Sequence, residues 1–306
     1  MNKFLLLKKA TDRSMYKIKN DKILLPVEQA VYAYHNGLIK GLAICMYLKF
    51  YTDGKIKSDS PLLSQLREDL KLTDDRTFKK HIVALIQHNW IGYCPISGVY
   101  FVRNTKYIRQ LYNFRRRQAT IVQPHYLKNF QIYLAAVLIC KEVTDQEFYW
   151  DVVIPRKLKK ATAKWAAASH WRVSSHSSNR PKYFGLCNKT IAGILGCKQT
   201  RACVIKNKAA ALGYLQVKHK YNDILVLDKP DFNVRAYLHE QFPQAAGRIR
   251  CWVKWKKDNV KYYKFVMQMH DEIISHLTFK RIEKYAAIRL PIEVIRGIDK
   301  ETLKAA

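Results

Sequence analysis

The chain has 306 residues, with 55 Lys and Arg against 24 Asp and Glu, so its formal net charge is +31 and its sequence pI is near 9.9. With 48% hydrophobic and 12% aromatic residues it has apolar surface for real cores, which excludes a disordered basic tail, and the length fits about two domains. The seven cysteines are odd in number and include no C-x-x-C pair, excluding a closed disulfide framework and a zinc ribbon; reduced thiols and a cytoplasmic setting are expected.

The charge is uneven along the chain. Residues 1–110 carry +10, 111–150 carry +2, 151–230 carry +13 and 231–306 carry +6. In 151–230 the acids are Asp151, Asp223 and Asp228, and so one-sided a stretch points to contact with phosphate. The apolar run at the N-terminus, between Lys3 and Lys8, is too short for a signal-peptide core. The apolar stretch around Gln131 to Cys140 is too short to cross a bilayer, so no membrane partner is expected.

Taken in chain order, Leu38 to Tyr51 reads as an apolar helix. From Leu62 the sequence LLSQLREDLKLTDDRTFKKHIVALIQHNWIGY predicts two helices, the second capped by Thr73 and bearing Phe78, Ile82, Leu85 and Ile86 on one face. A hairpin follows, from Trp90 to Tyr93 through a Pro95 to Gly98 turn to Val99 to Val102. Arg115-Arg116-Arg117 reads as a linker, a phosphate clamp or the basic end of the helix holding Tyr107 to Leu111. Leu127 to Cys140 is again an apolar helix, followed by a basic insertion, Val143 to Phe184, whose His170 to Lys182 reads as an exposed loop.

Beyond the insertion the earlier pattern returns at an offset of 124 residues, with LCNKTIAGILGCKQTRACVIKNKAAALGYLQV starting at Leu186. Leu62, Leu70, Trp90 and Ile91 fall on Leu186, Ile194, Tyr214 and Leu215, whereas Leu66 falls on Thr190 and His81 on Ile205. A helix over about Lys189 to Leu195 stops at Gly196-Cys197, and a second opens at Lys198. In the second helix Ala202, Ile205, Ala209 and Leu212 make the apolar face, Gln199, Cys203, Lys206 and Ala210 the opposite one, and Gly213 ends it. Tyr214 to Tyr221, the turn Asn222-Asp223 and Ile224 to Leu227 read as a tight hairpin.

Helix, turn, helix and hairpin in this order resemble the winged helix-turn-helix family, through residues 186–227 and, more weakly, 62–102. In tandem they are similar to plasmid replication initiators and to helix-turn-helix proteins of phages and other mobile elements. The expected fold class is mainly α with small β-hairpins (α+β): two winged-helix modules plus a helical, basic C-terminal region. The expected domains are 1–110, a basic linker at 111–126, a second module at 127–230 with the insertion 143–184, and 231–306.

The resemblance implies that the second helix of each module enters the major groove of double-stranded DNA while the wing touches backbone or minor groove. The residues implied for the second module are Lys198, Gln199, Thr200, Arg201 and Lys206, with Lys189 before them and Lys218 and Lys220, beside His219, on the wing. For the first module they are Arg76, Lys79 and Lys80, next to Asp74 and Asp75, which favour the helix dipole but repel phosphate. The second module is expected to be the main reader, the first supporting it, dimerising or binding a replication or transcription protein.

No H-E-x-x-H or C-x-x-C spacing appears, and no metal, cofactor or catalytic residue is expected. His270-Asp271-Glu272 with His276 reads as the polar face of a helix containing Ile273 and Ile274. Gly193 to Thr200 lacks contiguous Gly-Lys-Ser/Thr and reads as the turn between helices. The expected function is thus non-enzymatic, sequence-specific binding of double-stranded DNA in replication initiation or transcription control of a mobile element. One alternative is a single-stranded DNA or RNA binder using Trp165, Trp171, Trp252 and Trp255, although the spacing of the last two also suits core anchors on a helix; a nuclease or recombinase is another.

Overall fold

The computed structural model describes residues 16–154, 184–227, 249–257, 260–268 and 270–283, with Asn233, Ala236 and Glu240. The fold is mixed α and β, with helices and small antiparallel sheets. The chain divides into two compact units, one made of residues 1–141 and 277–306, the other of 142–276.

The first unit begins with β1 (Ile23–Pro26), α1 (Val27–His35) and α2 (Ile39–Tyr51). The sequence IKGLAICMYLKFY of α2 is apolar all round, as suits a helix enclosed by its neighbours. Leu42, Ile44, Met46, Leu48 and Phe50 are at most 1% exposed. The first repeat follows as β2 (Lys55–Lys57), α3 (Pro61–Asp69), α4 (Asp75–Gln87), β3 (Ile91–Cys94) and β4 (Val99–Val102). Its strands form an antiparallel sheet in the order β2-β4-β3. Gly41 brings α2 against α4: a Cβ there would stand 2.9 Å from Leu85 Cδ2. The cap of α4 is Asp74, not Thr73, its carboxylate accepting from the Thr77 amide at 2.7 Å.

After α5 (Thr105–Leu111) the chain forms β5 (Gln118–Val122), a 3-10 turn at Pro124–Asn129 and α6 (Phe130–Phe148). The segment 111–126 is therefore more than a linker. Its β5 is the middle strand of an antiparallel sheet in the order β1-β5-β12, where β12 is Phe279–Arg281. Arg115 to Arg117 lead into β5 rather than ending a helix: the Arg116 amide donates to Glu28 and the Arg117 guanidinium to the Ile282 carbonyl. The helix expected to serve the second module, Leu127 to Cys140, lies in the first unit, where the Tyr133 hydroxyl donates to the Ile121 carbonyl at 3.0 Å.

The second unit holds β6 (Gly185–Leu186), α7 (Asn188–Leu195), α8 (Gln199–Ala211) and β7 (Leu215–Lys218). α8 and β7 stand 124 residues beyond α4 and β3, end for end. The first helices match one residue later, because the turn of the first repeat is one residue longer. There Lys71 (φ 54°) takes the left-handed place that Gly196 (φ 59°) takes in the second. With that shift Leu66 falls on Ile191, and neither is exposed at all.

The expected tight hairpin does not form. β7 and β8 (Tyr221–Leu227) follow one another around His219 and Lys220 and do not pair, and Asn222 and Asp223 lie inside β8. β7 pairs instead with β11 (Asp271–Ser275), giving the order β6-β11-β7, the same as β2-β4-β3. β8 pairs with β10 (Val260–Gln268), which pairs with β9 (Ile249–Lys257). Where the first repeat turns at Pro95 to Gly98, the second thus extends into a three-stranded sheet, β8-β10-β9. The C-terminal region expected to be helical supplies β9 to β12, and His270 to Glu272 belong to or adjoin a strand. Trp252 and Trp255 lie on β9, not on a helix.

Candidate nucleic-acid interface

The surface that the sequence points to is built on α7 and α8. Cys187 caps α7 through sulfur, its Sγ accepting from the Thr190 amide at 3.4 Å. Burial tends to raise the Cys187 pKa, but the hydrogen bonds from Thr190 leave it below the ordinary thiol value. Gly196 then reverses the chain, with the Cys197 amide donating to the Ala192 carbonyl at 3.0 Å, the bond pattern of a helix closed by a left-handed residue. α8 opens at Lys198 without a side-chain cap, whereas Asp74 caps α4. Uncapped amides at the positive end of a helix are donors suited to phosphate.

Lys198, Gln199, Thr200 and Arg201 are exposed at the start of α8, and Lys189 and Thr190 are exposed on α7. Lys206 departs from its expected place. It is 3% exposed, with Nζ 2.5 Å from Asp271 Oδ2 at the start of β11. Ala202, Lys206 and Ala209 share the buried face, and an i, i+4, i+7 spacing holds them there. The outward face continues instead through Val204, Asn207 and Lys208, which the residue-by-residue reading missed. Counting i+3 and i+7 from Arg201 finds Val204 and Lys208. Leu212, expected on the apolar face, is 41% exposed.

β11 also brings acids into this neighbourhood. Asp271 Oδ1 lies 2.8 Å from His219 Nδ1, and Glu272 pairs with Lys220 at 2.7 Å. Burial pushes the Asp271 carboxyl upward, but hydrogen bonds and charge from Lys206 and His219 outweigh it and hold the pKa below the usual carboxylate value. Of the expected wing cations, Lys218 is exposed on β7, while Lys220 is half-buried and paired.

On the first repeat, Arg76, Lys79 and Lys80 are exposed along α4. Its two aspartates are engaged locally. Hydrogen bonding from Thr77 holds the Asp74 carboxyl below its ordinary range. Asp75 pairs at 2.6 Å with Arg67, which also donates to the Thr73 carbonyl. The turn Cys94 to Gly98 carries Ile96, 98% exposed, at its tip. Behind it, a Cβ on Gly92 would lie 2.2 Å from the Phe101 ring, whose own face is covered by Arg103 at 4.6 Å.

Trp165, Trp171 and the loop His170 to Lys182 lie outside the described residues. Among the described residues, no group of three or more His, Cys, Asp and Glu is placed to hold a metal ion, and no helix is long and apolar enough to cross a membrane. Comparison with protein-family models, with curated proteins and with solved structures gave no match.

Proposed function

We propose that the chain is a non-enzymatic, sequence-specific double-stranded DNA-binding protein with two winged-helix modules, acting in replication initiation or transcription control of a mobile element. The observation that carries this reading is the repeat itself. A helix and a strand recur at one spacing, a second helix precedes them one residue out of step, each set is completed by a sheet of the same strand order, and each leaves a helix of 13 residues with an exposed outer face. In the second repeat that face offers Thr200, Arg201, Asn207 and Lys208, groups that pair with base edges and phosphates. Both the dipole and the open N-terminus of α8 favour phosphate there, whereas Asp74 occupies that end of α4. The second module is therefore the principal reader.

The sheet carried at the wing position adds Arg250, Lys254, Lys256, Lys257, Lys261 and Lys264 on β9 and β10. The strand register pairs Lys256 with Lys261. Binding of single strands is the second reading, and one observation favours it: the register sets Trp255 opposite Tyr262 and Trp252 opposite Phe265 among these lysines.

Selection of bound sequences from random duplex DNA, followed by competition between duplex and single-stranded oligonucleotides at one salt concentration, tests both. Recovery of a defined duplex site supports the proposal, with repeated sites indicating an initiator and a single palindrome a repressor. Preference for single strands without a recovered site overturns it in favour of the second reading.

A further inference from the structure

A buried ion pair stands in the second repeat where the first has an ordinary core side chain. Lys206 lies 124 residues beyond Ile82, and each is 3% exposed. An isoleucine fills this place without desolvating a charge, so the Lys206–Asp271 pair is not needed to close the core. Its partner Asp271 has a second engagement, with His219, whose side chain is 57% exposed. His219 and Lys220 form the joint between β7 and β8, and His270 and Asp271 adjoin the matching joint between β10 and β11. One carboxylate therefore ties the middle of α8 to the point where the strands leave the β6-β11-β7 sheet and enter the β8-β10-β9 sheet. The adjacent Lys220–Glu272 pair spans the same joint.

We infer that Asp271 is a positioning residue that fixes the wing joint relative to the outer face of α8, through Lys206 on one oxygen and His219 on the other. This rests on the DNA-binding reading above. The pair gives α8 and the extended sheet one mutual arrangement, so both meet a duplex without first being ordered. Ordering a loose joint on binding costs affinity, and a fixed joint avoids that cost.

The test uses the full chain and a labelled duplex of mixed sequence at fixed salt, with amide hydrogen exchange at Lys218 to Tyr221 and at His270 to Ile273 measured without DNA. Lys206→Ile with Asp271→Val restores the apolar solution of the first repeat. The expected result is a folded protein with faster exchange at the joint and roughly tenfold weaker duplex binding. Should that double variant fail to fold, His219→Ala cuts the exposed arm alone and leaves Lys206 paired; faster exchange and weaker binding are expected again. Unchanged exchange overturns the proposal, as does faster exchange with unchanged affinity. If the unsubstituted chain does not bind duplex at all, the DNA-binding reading fails, and the exchange rates still decide whether Asp271 holds the joint.

Discussion

Asn89 and Gly213 close α4 and α8 in the same left-handed conformation, at φ 54° and 75°. Each is followed by a buried aromatic residue whose amide bonds back into the helix, Trp90 to Leu85 at 2.9 Å and Tyr214 to Ala209 at 3.0 Å. The two repeats thus solve helix termination with one geometry and two residue types. At Gly213 nothing lies within 4 Å of a built Cβ, so a side chain there meets strain in the backbone alone. Gly213→Ala should cost about 1 kcal/mol and Asn89→Gly should cost little, read as shifts in urea midpoint at constant slope.

Arg201→Ala with Lys208→Ala removes two exposed cations from the outer face of α8. The expected result is at least roughly tenfold weaker duplex binding, a salt dependence shallower by about two, and an unchanged melting temperature. Binding titrations at several salt concentrations, paired with thermal melts, check this. Lys206→Ala should lower the melting temperature, because it leaves Asp271 buried without the lysine it pairs with.

Acid should loosen the second unit through Asp271. Its folded-state pKa is held below the unfolded value by Lys206 and His219, so the carboxylate's contribution is full above the unfolded-state pKa and is lost as pH falls through the folded one. Urea unfolding monitored in that acidic range should show a smaller pH dependence in the Lys206→Ile, Asp271→Val variant than in the parent chain. An equal dependence in both would assign the acid sensitivity to other carboxylates.

The thiols should react in an order set by their surroundings. Cys45 lies inside α2, where burial pushes its pKa up to about 12, so it stays protonated and shielded. Cys94 is held below the ordinary thiol value by hydrogen bonding from Ser97, and Cys187 by Thr190. Brief alkylation at neutral pH followed by peptide mapping should label Cys94 and Cys187 well before Cys45.

Much of this was legible because local rules suffice for it. Gly196 and Gly213 mark helix ends, and the match of α4 with α8 is visible in the sequence, since a repeat preserves length even where identity is low. The mismatch of Leu66 with Thr190 was a signal too, produced by one extra residue in a turn. Lys206 shows where local rules conflict. Its charge argues for solvent and its spacing from Ala202 and Ala209 argues for the core; the spacing prevailed because Asp271 arrives from far along the chain. β7 and β8 misled for the same reason. Two neighbouring strands separated by polar residues suggest a hairpin, and only the partners supplied by β10 and β11 reveal a continuing ribbon. Over 249–257 and 260–268 the helical expectation gave way to strands because lysines among Trp, Tyr and Val suit a strand as well as a helix face.

The place of β11 in the chain also governs when each repeat can close. In the first, β2, both helices and the hairpin follow one another directly, so the sheet forms from neighbouring sequence as synthesis proceeds. In the second, β6 and β7 both wait for the strand that lies between them, and that strand is made only after β8, β9 and β10. Long-range pairing of this kind is slow and leaves strand edges open meanwhile. A chain stopped at Leu227 would contain α7, α8 and every α8 residue proposed to touch DNA, yet Lys206 would have a charge and no counter-charge from Asp271. The helix proposed to read DNA is complete in sequence well before it can be complete in structure.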